Sequence, residues 1–142
     1  MRTGLILINT GPLVALINSN DRHHAGCLAT IGDVQLPLLT TVPCWTEALY
    51  LLGRRGGLLA QQALWKIRSE GVVRVEDLSD VELDTARVYM SRFSDVPCDF
   101  ADANLLACCE LRCLTEVLTL DSDFYAYRVG GKALQVRFLA GF

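Results

Sequence analysis

The residues of this chain best suited to chemistry are acids, and their placement carries the information. Asp99 and Asp102 stand three apart, which on a helix puts both carboxylates on one face. Asp121 and Asp123 flank Ser122 at the end of an apolar stretch. Glu47 lies about one turn into a segment that Pro43 opens as a helix. Asn9 and Thr10 follow the first apolar run. Carboxylates brought to one place repel one another and are costly unless a cation sits among them. Hard oxygen donors with open positions suit Mg2+ or Mn2+. Singly, each acid has a plainer reading. Asp99 with Asp102 could be a helix cap and its third-position partner, Glu47 could favour a helix N-terminus, and Asp121-Ser122-Asp123 could form an Asx turn. Independent caps, however, need not converge on one edge of a fold.

The elements that must position these acids are legible from apolar patterning. Residues 4–8, 36–41, 72–76, 116–120 and 134–138 read as short buried strands. Between them lie helical stretches. The first covers 13–18, with Thr10 as its cap and Pro12 near its first position. A polar turn over 20–24 leads to a helix through Ala29. Another helix starts at Pro43 and ends at the glycine-rich 53–57. Residues 58–70 follow, terminated by Gly71. Residues 79–91 carry a Ser79-x-x-Glu82 capping box, and 100–111 form the last helix. Strands alternating with helices predict one α/β domain over residues 1–142, with a parallel sheet covered on both faces. Ligands of such sheets bind beyond the carboxyl ends of the strands, which is where the acids fall.

Composition narrows the function classes. The 142 residues are 51% hydrophobic and 20% charged, which excludes a disordered tail protein. The net charge of −3 argues against holding nucleic acid by bulk charge. No uncharged apolar run approaches the ~20 residues that span a bilayer, and the N-terminus lacks a secretory pattern; the expectation is a soluble, cytoplasmic protein. The six cysteines form no C-x-x-C pair and read as small buried hydrophobes, with Cys109 and Cys113 on one helix face. His23 and His24 read as turn residues. No G-x-x-x-x-G-K-[ST] run exists, which argues against a nucleoside triphosphatase. The first strand end carries Asn9, not a nucleophilic Asp, which argues against a phosphatase.

Ile8-Asn9-Thr10-Gly11-Pro12-Leu13, Thr41-Val42-Pro43-Cys44-Trp45-Thr46-Glu47, Cys98-Asp99-Phe100-Ala101-Asp102-Ala103 and Leu118-Thr119-Leu120-Asp121-Ser122-Asp123 run in an order that resembles the PIN domain family. The likeness is to the VapC-like toxin ribonucleases of bacterial toxin–antitoxin pairs in particular. The resemblance covers nearly the whole chain. It implies a three-layer fold with a mostly parallel five-stranded sheet, a Mg2+ or Mn2+ site, and hydrolysis of RNA phosphodiester bonds. Carried over by position, Glu47, Asp102 and Asp121 match the family's acids, with Asp99 and Asp123 as assisting acids. Thr10 matches a hydroxyl residue beside the first acid, and Thr119 joins it as a supporting residue. The metal set implied is Asn9, Glu47, Asp102 and Asp121. The family usually has Asp where this chain has Asn9, whose amide offers an oxygen without charge. The alternative reading is therefore an inactive PIN-like module that binds RNA or protein.

Substrate contact on a net-acidic chain needs local cations, for which Arg22, Arg54, Arg55 and Arg128 are the candidates. The resemblance also implies an antitoxin partner and a homodimer. The apolar faces over 14–17 and 45–52 are the expected association surface.

Overall fold

The computed structural model describes residues 5–137. The outer ends of the first and last predicted strands, Gly4 and Phe138, lie outside the described residues. The elements are β1 (Leu7–Ile8), α1 (Thr10–Ile17), α2 (His24–Gly32), β2 (Leu38–Thr41), α3 (Val42–Ser69), β3 (Val73–Glu76), α4 (Asp80–Arg92), α5 (Phe100–Leu111), β4 (Glu116–Leu118), β5 (Arg128–Val129), β6 (Lys132–Ala133) and β7 (Gln135–Arg137). A 3-10 turn spans Ser122–Tyr125.

Five strands form one parallel sheet in the order β3-β2-β1-β4-β7. Successive strand residues point to opposite faces, and here both faces are covered. Leu7, Leu39 and Val117 pack with Ala86 and Tyr89 of α4 and Leu105 and Leu106 of α5. Ile6, Ile8, Leu38 and Leu118 pack with Leu13 and Val14 of α1 and Trp45, Leu52 and Leu64 of α3. This double burial is why the strands read as continuous apolar runs rather than as alternating ones. The chain runs outward from β1 through β2 to β3, then returns to the other side of β1 as β4 and β7. The reversal lies between β1 and β4, where a crevice opens beyond the strand ends.

Local details refine the expectations from sequence. The cap of α1 is Asn9, not Thr10. Asn9 is extended, and its Oδ1 accepts from the Thr10 backbone N–H at 2.8 Å. Asn outranks Thr as a cap, which leaves the Thr10 hydroxyl for the site described below. The segment α3 is a helical hairpin whose arms meet at Gly57, where φ is +65°. Trp45 and Trp65 meet edge-on with ring centroids 5.2 Å apart, and Gln61 Nε2 donates to the Leu49 carbonyl at 3.0 Å. A Cβ at Gly53 would stand 2.5 Å from Gln61 Nε2, so the close approach of the arms favours glycine there.

Cys113 does not share a helix face with Cys109. The last helix ends at Leu111, and Cys113 takes the left-handed position after the cap, with φ at +55°. The Leu114 N–H closes the Schellman bond to the Cys109 carbonyl at 3.0 Å. Five cysteines are buried and free, Cys113 is exposed and free. A β5–β6 hairpin absent from the sequence reading turns at Gly130 and Gly131, both at positive φ. The expected association faces are partly used internally: Val14, Trp45, Ala48 and Leu52 are buried in this chain's own core. The largest apolar exposure instead lies at the hairpin tip, at Leu58 and Leu59. No helix among the described residues is long and apolar enough to cross a membrane.

The capping box of α4 anchors an ion-pair network. Ser79 and Glu82 make both reciprocal bonds. The Glu82 carboxylate, 4% exposed, also receives Arg112 Nε and Nη2, each at 3.0 Å, and the Cys108 thiol at 3.2 Å. Burial alone would raise its pKa, but Arg112, Cys108 and the Ser79 backbone together hold it down at about 2. Arg112 reaches Glu76 as well, at 3.2 Å, which ties the end of β3 to α4 and α5.

Candidate active site

The crevice between β1 and β4 is a cleft of about 400 Å³ lined by Asn9, Thr10, Gly11, Glu47, Asp99, Asp102, Thr119, Leu120 and Asp121. Each acid arrives for a local reason. Glu47 sits on the second turn of α3, and its Oε1 accepts from the Thr10 hydroxyl at 2.6 Å. Asp99 caps α5, its Oδ1 accepting from the Asp102 N–H at 2.9 Å. Asp121 caps the 3-10 turn, accepting from the Asp123 N–H at 2.9 Å. The plain capping roles and the convergence are thus both real. Asp123 does not line the cleft.

The floor is made of neutral polar groups. Asn9 Nδ2 donates to Thr119 Oγ1 at 3.1 Å, and the same oxygen accepts the Asp121 N–H at 3.0 Å. Burial pushes the Cys44 thiol up to about 11, so it keeps its proton at neutral pH and donates toward Asn9 Oδ1 at 3.6 Å.

Among the described residues, no lysine or arginine lines the cleft. Arg22 bonds to His23 through Nε at 3.0 Å, and Arg54 lies over the Tyr50 ring at 5.7 Å. Arg55 is exposed on α3. Arg128 Nη1 donates to the carbonyls of Tyr125 and Tyr127. The candidate arginines therefore lie outside the acid cleft.

Four carboxylates without a lining cation should strain the most buried of them. Asp102 is 8% exposed. Burial first, then the neighbouring Asp99, Asp121 and Glu47, raise its pKa from 3.8 to about 7, against a hydrogen bond that lowers it. That bond comes from a residue the sequence reading missed. Tyr127, fully buried, donates its hydroxyl to Asp102 Oδ2 at 2.9 Å. No motif marks Tyr127; it follows a short turn, and only the folded loop brings it under α5.

A raised carboxyl pKa binds its proton more tightly in the folded state. Stability from this group is therefore complete below the unfolded value near 4 and is lost as pH rises toward 7. Metal-free protein is expected to lose on the order of 3 kcal/mol over that window, and Asp102→Asn to flatten the loss. Thermal melts in EDTA from pH 4 to 7.5 check this, and parallel curves for the two proteins would contradict it.

The donor set fits a hard divalent cation: carboxylates of Glu47, Asp99, Asp102 and Asp121, with the charge repulsion that a cation would relieve. No three carboxylate, imidazole or thiol side chains among the described residues close into a ligand cluster. Glu47 and Asp102 are held by Thr10 and Tyr127 instead.

The model of the PIN domain matches residues 6–130, and the chain belongs to the PIN domain family. Among solved structures it is similar to Mycobacterium tuberculosis VapC20, a sarcin-ricin loop cleaving toxin. Identity is 26%, the TM-score is 0.80, and the match covers 89% of this chain and 97% of that one. A toxin–antitoxin complex from Klebsiella pneumoniae shares the fold at 17% identity and TM-score 0.68, over 93% of this chain and 95% of that one. Comparison with curated proteins gives no match.

Proposed function

We propose that this chain is a Mg2+- or Mn2+-dependent endoribonuclease that acts as the toxin of a toxin–antitoxin pair. The observation that carries the reading is the convergence of Glu47, Asp99, Asp102 and Asp121 from three chain segments on one cleft at the sheet's switch point. Likeness to a sarcin-ricin loop cleaving toxin over almost the whole chain supports the substrate class, and the likeness to a chain of a toxin–antitoxin complex supports a protein partner. Glu47, Asp102 and Asp121 would hold the cation, with Asn9 contributing at most a neutral oxygen. When bound, such an ion stabilises charge on a phosphoryl oxygen and acidifies water. Asp99, which lines the cleft, would accept the proton of an attacking water. Asp123 steadies Asp121 through the turn. Beside the cleft, sharing Glu47 and Asp99 with it, an apolar hollow walled by Val42, Pro43, Leu78 and Phe100 suits an unpaired base.

The test is cleavage of a structured RNA by the purified chain in Mn2+ and in EDTA. Cleavage in Mn2+ that Asp102→Ala removes by at least ~100-fold is the expected result. The second reading, a PIN-like module without activity, rests on Asn9, whose amide oxygen is engaged with the Thr10 N–H and adds no charge. RNA binding without cleavage in either condition would favour it. We place the protein in the cytoplasm and expect a homodimer, which sedimentation at tens of micromolar tests.

A further inference from the structure

We propose that Tyr127 is a positioning residue that orients Asp102 for cation binding, an inference that rests on the nuclease reading above. Tyr127 follows the 3-10 turn, and its ring is held from two sides. Phe124 meets it edge-on with centroids 5.0 Å apart, and Phe93, the C-cap of α4, lies at 5.2 Å. These contacts fix the hydroxyl at the base of α5. There its proton has two oxygen acceptors, Asp102 Oδ2 at 2.9 Å and the Pro97 carbonyl at 3.4 Å, and the Cys98 thiol is a further hydrogen-bonding neighbour. The shorter partner is also the carboxylate, and hydrogen bonds to charged acceptors are the stronger ones.

The geometry has two effects on Asp102. With Oδ2 committed to Tyr127, Oδ1 is the oxygen left for a cation, so the hydroxyl selects one-oxygen over two-oxygen ligation. The bond also restricts rotation of the carboxylate, so little ordering remains when the ion enters. Partners that orient a ligand in this way generally change metal affinity by ~10–100-fold when removed. Phe in place of Tyr127 keeps the ring and its packing and deletes only the oxygen.

The experiment compares Tyr127→Phe with the parent chain, each with Asn9 and with Asn9→Asp. Mn2+ affinity is measured by calorimetry, and RNA cleavage by single turnover. The expected result is a normal far-ultraviolet spectrum, Mn2+ affinity weakened roughly tenfold, and slower cleavage at saturating Mn2+ with unchanged RNA affinity. In an Asp102→Asn background the Tyr127→Phe change should have no further effect on Mn2+ binding. Phe93→Leu, which disturbs the packing but keeps the hydroxyl, should lower the melting temperature and leave Mn2+ affinity alone. A near-ultraviolet tyrosine difference signal on adding Mn2+ to the parent, absent from Tyr127→Phe, reads the same contact without relying on a variant's stability. Equal Mn2+ affinity in Tyr127→Phe and parent, or no tyrosine signal when the parent binds Mn2+, overturns the positioning role and leaves the nuclease reading intact. A parent that binds no Mn2+ with either residue at position 9 overturns both.

Discussion

Asn9→Asp is expected to tighten Mn2+ binding by at least ~10-fold and to raise RNA cleavage with it. The surroundings of Asn9 already accommodate a carboxylate. Its Oδ1 accepts from the Thr10 N–H and from the Cys44 thiol, both roles that an Asp oxygen fills. The remaining contact runs from Nδ2 to Thr119 Oγ1. Thr119 uses a lone pair for the Asp121 N–H, so its own proton is free to turn toward an Asp at position 9. The exchange therefore keeps the local hydrogen bonds and adds one charge. A unit-charge pair at ~4 Å is worth up to ~4 kcal/mol at an effective dielectric of 20, of which only part survives as net affinity. The sign of the stability change should depend on the ion. In EDTA the new carboxylate joins Asp99, Asp102, Asp121 and Glu47, so the melting temperature falls and the pKa of Asp102 rises further. In millimolar Mn2+ the cation offsets the repulsion, and binding to the native state raises the melting temperature above that of the parent. Melting curves with and without Mn2+, alongside calorimetry, decide it. Unchanged affinity and cleavage would mean that position 9 does not serve the cleft, and the inactive-module reading would then gain.

Arg112→Ala should destabilise the fold by about 3–5 kcal/mol near neutral pH. Removing the guanidinium leaves the buried Glu82 carboxylate without its two-pronged partner and frees Glu76 as well. Arg112→Lys should recover little, because an ammonium cannot supply the paired donors. The pH dependence follows from the lowered pKa of Glu82. A carboxylate depressed to about 2 contributes its full stability above the unfolded value near 4.5 and loses it as pH falls toward 2. In Arg112→Ala the orphaned Glu82 is relieved by protonation, so the gap between variant and parent should narrow as pH drops from 7 to 3. Chemical denaturation at several pH values measures this. A gap below ~1 kcal/mol at pH 7 would show that the network is screened like an ordinary surface pair.

Much of this architecture is written in local patterns. The Ser79-x-x-Glu82 box, the glycine break at Gly57 and the strand runs each act over a few residues, so sequence reads them directly. The acids were legible for the same reason, since each doubles as a cap or an early helix residue. The Gly130-Gly131 turn is equally local, but the strands it joins are two residues each, too short to carry an apolar pattern. Other features depend on tertiary placement. The Thr10 hydroxyl meets Glu47 across 37 residues. Tyr127 meets Asp102 across 25 residues, and Arg112 meets Glu82 across 30. No periodicity encodes such pairs. The arginines show the reverse failure: exposed cations are easy to name, but only the fold shows that they stand away from the acids.

The outward and returning course of the chain also sets an order in time. A growing polypeptide emerging from the ribosome would display Asn9, Glu47 and even Asp102 before β4 exists to dock beside β1. Until the segment through Tyr127 is available, Asp121 is absent and Asp102 lacks its hydroxyl donor. A fragment that stops before β4 holds Glu47, Asp99 and Asp102 but lacks Asp121, since the acids come from both sides of the sheet's reversal. The complete acid set thus forms only late in synthesis, once β4 has taken its place beside β1.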